Sequence, residues 1–219
     1  MRRTSAEARL LRIYDILNGH FGDLHWWPAE TAFEVALGAI LTQNTNWKNV
    51  EAAMHRLKGR KMLDVEAIYR ADPDDLAELI RPAGYYNVKT KRVKAFVIFL
   101  RDGYGGSIEN MFAEDLPLLR SKLLAVHGIG PETADSILLY AGGKPVFVVD
   151  AYTRRILERH GMINGSESYE AIQRFCMDAL PPDVSVYNQF HALLVHTAKL
   201  FCRVRARCLG CPLNGEEVL

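Results

Sequence analysis

Apolar residues recur along this chain at the spacing of helices. Ala32, Val35, Ala36, Ala39 and Ile40 fall on one helical face, and Val93, Phe96, Val97 and Leu100 on another. Strand-type alternation is almost absent. The strongest run, Val146 to Val149, is four residues long and has no partner of matching pattern, so it reads as an extended connector. The pattern predicts an all-α fold. Asp72-Pro73 marks one helix start, because Asp can cap and Pro suits the first helical position, and Ser166 to Ser168 marks another before Tyr169. Pro82 and Gly84 stop the helix through Leu76 and Ile80, Gly142-Gly143 stops the one through Ile137 and Leu138, and Pro181-Pro182 separates the last two. No internal repeat or low-complexity segment interrupts this reading.

Composition narrows the class. A chain of 219 residues, 49% hydrophobic and 24% charged, can bury a sizeable core in one or two domains. Arg2, Arg3, Glu7, Arg9, Arg12 and Asp15 interrupt the N-terminal apolar residues, which leaves no signal peptide or membrane span and predicts a cytoplasmic protein. Net charge is only +1, which argues against coating nucleic acid by bulk electrostatics and leaves a local basic patch possible. Three of the four cysteines, Cys202, Cys208 and Cys211, crowd into the last eighteen residues, a clustering that suggests metal before disulfide.

The stretch Leu123 to Leu138 reads as helix, tight hairpin, helix. Gly128 and Gly130 permit positive φ, so backbone N–H groups can turn outward while Ile129 points into the core. Pro131 then opens a helix whose N-terminus favours an anion such as a DNA phosphate. An ordinary turn between packed helices would share the Gly-x-Gly alone.

Beyond Gly142-Gly143 the chain runs Val146-Phe147-Val148-Val149-Asp150, then a helix from Ala151 to Leu157. Upstream stand Leu37 to Thr45, with Gln43, and Arg81 to Lys89. In this order and spacing the four segments resemble the endonuclease III superfamily of helix-hairpin-helix DNA glycosylases, over about Trp26 to Cys211. The resemblance implies two helical domains with an interdomain cleft. One is a six-helix barrel over residues 31–138, and the other combines 1–30 with 139–219. It implies a nucleoid-associated monomer with double-stranded DNA bearing a damaged base as partner, and His127, Gly128, Ile129, Gly130 and Thr133 as the hairpin's DNA-binding residues. Gln43 would fill the hole left by a flipped nucleotide, although a solvated helix end would look the same.

Asp150 matches the family's catalytic carboxylate. An enzyme that breaks an N-glycosidic bond must extrude the nucleotide and stabilise an oxocarbenium-like sugar, and one ionised carboxylate suits that task. Capping the following helix is a compatible second role. Where bifunctional members have lysine, this chain has Glu132, which cannot form a Schiff base, so hydrolysis without a lyase step is expected. Trp26, Trp27 and Pro28, with Trp47 and Glu132, resemble the base pocket of bacterial 3-methyladenine glycosylases. Indole faces attract the positive charge of an N-alkylated purine. The other readings are an endonuclease III-like glycosylase and lyase for oxidised or mismatched pyrimidines, and a non-catalytic DNA-binding module. Lys89, Lys91, Arg92 and Lys94, like Arg154 and Arg155, read as solvated helix faces that could touch phosphates.

Cys202, Cys208 and Cys211 resemble the superfamily's iron–sulfur loop with one ligand missing, Glu217 standing where a fourth cysteine would fall. A [4Fe–4S] cluster expects four thiolates. Three outcomes stay open: a cluster completed by another ligand, a loop that folds without metal, or a zinc site.

Overall fold

The computed structural model describes residues 5–27 and 29–216. Pro28 and Glu217, both singled out above, lie outside the described residues. Among the described residues the regular structure is helical and no strand forms. The α-helices are α1 (Ser5–Phe21), α2 (Ala32–Leu41), α3 (Trp47–Gly59), α4 (Val65–Arg70), α5 (Pro73–Ile80), α6 (Tyr86–Tyr104), α7 (Ile108–Phe112), α8 (Leu116–Leu124), α9 (Pro131–Ser136), α10 (Ala151–Arg159), α11 (Tyr169–Ala179) and α12 (Val184–Leu200). A 3₁₀ turn, Arg81–Ala83, follows α5, and a π-helical turn, Ile137–Ala141, continues α9.

The helix starts follow side-chain chemistry. Oxygens of Thr31, Asn46, Asp64, Asp72, Ser107, Ser168 and Asp183 each accept a backbone N–H in the first turn they precede. Asp72 with Pro73, and Ser168 before Tyr169, are the two starts read from sequence. Gly84, with φ of 70°, ends the 3₁₀ turn.

The chain divides into two compact units, one spanning 29–144 and the other joining 1–28 to 145–219. In the unit of 29–144, α2 lies in the interior, touching α3, α6, α9 and the π-helical turn. Phe33 and every residue from Val35 to Leu41 are buried, so α2 is enclosed on all sides rather than on the single face its spacing suggested. A helix apolar around its whole circumference has to be covered on its whole circumference. Around it, α6 packs on α4, α5 and α7, with Val93, Phe96, Val97 and Leu100 all buried as the period predicts.

In the other unit α1 lies against α11 and α12, and α12 also supports α10. Val146 to Val149 forms the expected extended connector and is buried throughout. Side chains replace the missing strand partner: Gln173 Nε2 donates to the Phe147 carbonyl at 2.6 Å, and the Val149 N–H donates to Tyr169 Oη at 3.3 Å. Phe147 packs at ring-centroid distances of 5.8 Å from Tyr187 and 5.9 Å from Phe190. That anchoring fixes where the connector ends, which is at Asp150.

Candidate DNA-binding and catalytic sites

Asp150 is the N-cap of α10. Its Oδ1 accepts the Thr153 N–H at 2.7 Å, and its Oδ2 lies 3.6 Å from His191 Nε2 on α12. The Asp150 side chain is 12% exposed and that of His191 7%, so the pair is shielded without being sealed. Burial alone would raise the carboxyl pKa. The neighbouring His191 and the hydrogen bonds from Thr153 overcome it and hold Asp150 below the usual carboxylate range. The cap and the charge therefore reinforce each other, because the amides that end α10 favour the anion. His191 was not singled out from the sequence. Its only signal was a polar residue inside the apolar run Phe190 to Val195, which names no partner.

The same unit holds Trp26 and Trp27, packed edge to face with centroids 6.4 Å apart. The Lys199 ammonium lies 5.6 Å from the Trp26 ring centroid, so a cation already rests on that indole face.

In the unit of 29–144 the hairpin joins α8 to α9. Gly128 takes φ of +82°, as expected, but Gly130 sits in ordinary extended backbone at φ −91° and ψ 178° as the N-cap of α9. Ile129 is buried, and its own N–H turns inward to the Val126 carbonyl at 3.1 Å, closing the turn rather than facing outward. His127 and Gly130 are exposed, whereas Thr133 is buried and its Oγ1 accepts from Gln43 Nε2 at 2.8 Å. Arg120 on α8 bonds the buried Asp135 on α9 through Nε at 2.7 Å and a terminal nitrogen at 2.9 Å, fixing the angle between the two helices. Glu132 is exposed in the first turn of α9, and Trp47 opens α3 with its Nε1 donating to Glu51 at 2.8 Å.

The expected solvated basic face of α6 is largely a structural one. Lys89 is 1% exposed, and its ammonium donates to the carbonyls of Leu41 at 2.8 Å and Ala83 at 2.7 Å. Burial, with Arg92 nearby, pushes its pKa down to about 8. Lys94 donates to the Tyr69 and Ala71 carbonyls, and Arg92 to Gln43 Oε1. Long side chains at these positions reach helix and turn ends whose carbonyls have no partner in their own element, and the sequence period cannot show that. Arg154 and Arg155 are likewise committed, to the carbonyls of Glu167 and Cys202.

Tyr85, also not foreseen, follows Gly84 in the left-handed region at φ 47° and is 72% exposed. A left-handed tyrosine costs about 1–2 kcal/mol, and here it is held by the bonded turn beneath it.

Cys202, Cys208 and Cys211 line one small cavity with His160, Arg159 and Phe201. No group of three or more histidine, cysteine, aspartate or glutamate side chains among the described residues is arranged to hold a metal ion. Cys176, the remaining cysteine, is fully buried in α11 with its thiol pKa pushed up by burial. These residues do not fit a four-thiolate cluster. The loop is held by other means: Arg159 donates to Cys202 Sγ at 3.2 Å, Arg203 O at 2.6 Å and Val204 O at 2.9 Å, and Arg155 to Cys202 O at 2.7 Å.

Comparison with known proteins identifies the family. Residues 37–182 match the family model of the HhH-GPD superfamily base excision DNA repair proteins. A Methanocaldococcus jannaschii protein named "Putative DNA repair glycosylase" is 48% identical over 206 residues, covering 94% of each chain. Endonuclease III of Thermotoga maritima is 27% identical over 192 residues, 84% of this chain and 81% of that one. Among solved structures, the Helicobacter pylori 3-methyladenine DNA glycosylase bound to 1,N6-ethenoadenine superposes with a TM-score of 0.76 at 30% identity, over 90% of this chain and 98% of that one. A non-covalent endonuclease III–DNA complex shares the fold with a TM-score of 0.81 at 20% identity, over 97% and 94% of the two chains. The chain belongs to the HhH-GPD superfamily of base excision DNA repair proteins and is a DNA glycosylase of that superfamily.

Proposed function

We propose that this glycosylase is monofunctional and hydrolyses the N-glycosidic bond of a flipped, alkylated purine such as 3-methyladenine in double-stranded DNA. The observation that carries the reading is Asp150, a shielded carboxylate kept ionised by His191 and the start of α10. Such a charge stabilises the positive sugar that forms as the base departs and orients the water that replaces it. Glu132 offers no amine for a covalent route. Lys144, the nearest lysine after the hairpin in sequence, has its ammonium on the Glu114 carbonyl at 2.8 Å.

Trp26 supports the substrate class, because its face already carries the Lys199 cation. An N-alkylated purine gains on the order of 1 kcal/mol or more from indole faces that a neutral base does not. The relation to the H. pylori 3-methyladenine glycosylase supports the same choice. The exposed ring of Tyr85 offers an aromatic surface of the kind that stacks on unpaired bases. Endonuclease III-like action on pyrimidines is the second reading, favoured by the similarity to the T. maritima enzyme.

Single-turnover base release from duplexes carrying one defined lesion tests the proposal. The expected result is release of N-methylated purines by the wild type and loss of release in Asp150→Asn, with DNA binding kept. A covalent adduct trapped by borohydride, or unchanged release in Asp150→Asn, would overturn it.

A further inference from the structure

The Gln43 side chain, expected to enter DNA, is instead spent on the hairpin itself. Its Nε2 donates to Gly128 O at 3.0 Å and to Thr133 Oγ1 at 2.8 Å, while its Oε1 accepts from the Arg92 guanidinium. Both amide hydrogens are thus committed, and the carbonyl oxygen is engaged by a cation. Arg92 reaches this point from α6 by lying across Gly128, so closely that a Cβ there would fall 2.3 Å from Arg92 Cγ. The glycine is required by Arg92 as much as by the turn.

The guanidinium is held by a neutral amide, and none of the ion pairs among the described residues gives Arg92 a carboxylate. An amide oxygen is a weaker partner for a guanidinium than an anionic oxygen, which forms charge-assisted and often bidentate bonds. A phosphate arriving at the hairpin would therefore compete for Arg92 on favourable terms.

We infer that Arg92 is a positioning residue that couples capture of the DNA backbone to release of Gln43. In the free protein Arg92 holds Gln43 folded onto Gly128 and Thr133. When a phosphate occupies the hairpin, the guanidinium turns to it, Gln43 loses its cationic partner, and the amide becomes available to the DNA. The step is a change of hydrogen-bond partners and needs no other reactant. It rests on the hairpin reading, and the test separates the two.

The experiment measures binding to a duplex bearing one N-methylated purine across a salt series, with base release at saturating enzyme, for Arg92→Met, Arg92→Lys, Gln43→Ala and the double variant Gln43→Ala/Arg92→Met. Thermal unfolding of each confirms the fold. Arg92→Met is expected to reduce the slope of log affinity against log salt by about 1, the signature of one lost phosphate contact, and Arg92→Lys to restore it. The effects of Arg92→Met and Gln43→Ala on base release are expected to be non-additive. An unchanged salt slope in Arg92→Met, or strict additivity with Gln43→Ala, would overturn the coupling. Gly130→Asp tests the footing independently: position 130 has extended backbone and open space at Cβ, so aspartate fits while placing a negative charge on the hairpin. Loss of DNA affinity there is expected, and wild-type affinity would overturn the hairpin reading and the coupling with it.

Discussion

His191 Nε2 stands 3.6 Å from Asp150 Oδ2, joining the middle of α12 to the first residue of the α10 cap. Removing the imidazole leaves burial as the larger influence on the carboxyl, so in His191→Leu the Asp150 pKa rises. The acid limb of the pH profile for base release is expected to move to higher pH in that variant. A depressed carboxyl pKa also stabilises the fold above its unfolded value of 3.8, and this contribution fades as pH falls below it. Acid unfolding of His191→Leu should accordingly be less steep in that window. An unmoved acid limb would show that His191 does not act through Asp150.

Asp150 carries two roles that substitution can separate. Asparagine keeps an N-cap for α10 and alanine does not, so Asp150→Ala is expected to be less stable than Asp150→Asn by about 1 kcal/mol, with base release lost in both. Denaturant unfolding measured beside single-turnover kinetics checks this. Equal stabilities would mean that the cap contributes nothing.

Lys89 predicts a rise of stability with alkali. Its folded pKa of about 8 lies below the ordinary value of 10.5, so between those values the unfolded chain binds more protons and stability increases with pH. Lys89→Met should flatten that rise and cost about 1–3 kcal/mol at neutral pH, because the carbonyls of Leu41 and Ala83 lose their donor. Unfolding midpoints across pH 7 to about 10 would reveal either outcome.

Lys199 bears on substrate preference. On the proposed reading its ammonium competes with a cationic base for the Trp26 face. Lys199→Met is expected to raise release of N-methylated purines relative to neutral lesions by roughly tenfold or less, in keeping with an interaction of about 1 kcal/mol. Paired single-lesion duplexes supply the ratio, and an unchanged ratio would place the competition elsewhere.

The C-terminal loop is expected to fold without metal. Arg159 bonds Cys202, Arg203 and Val204, so Arg159→Ala should destabilise the loop, while replacing Cys208 with serine should leave the unfolding temperature unchanged. Stoichiometric iron with visible charge-transfer absorbance in the purified protein, lost in Cys208→Ser, would reverse that expectation.

Much of the local structure was legible from residue order alone. The helical period, the caps at Asp72 and Ser168, the buried connector Val146 to Val149 and the left-handed Gly128 follow from short-range sterics and hydrogen bonding, which act between residues close in sequence. As the cap of α10, Asp150 was legible for the same reason, whereas its candidacy as the catalytic carboxylate came from the resemblance to the superfamily. The side chains that meet across elements were not. Lys89 looked like part of a wet helix face, Gln43 like a side chain free to enter DNA or a solvated helix end, and His191 like one polar residue in an apolar helix. Each is defined by a partner dozens of residues away: Leu41, Gly128 and Asp150. Long side chains and orphan carbonyls find one another only once helices pack, so residue order carried the helices, the turn and the caps. The tertiary structure alone decided which cations are buried, what holds Gln43, and what keeps Asp150 charged.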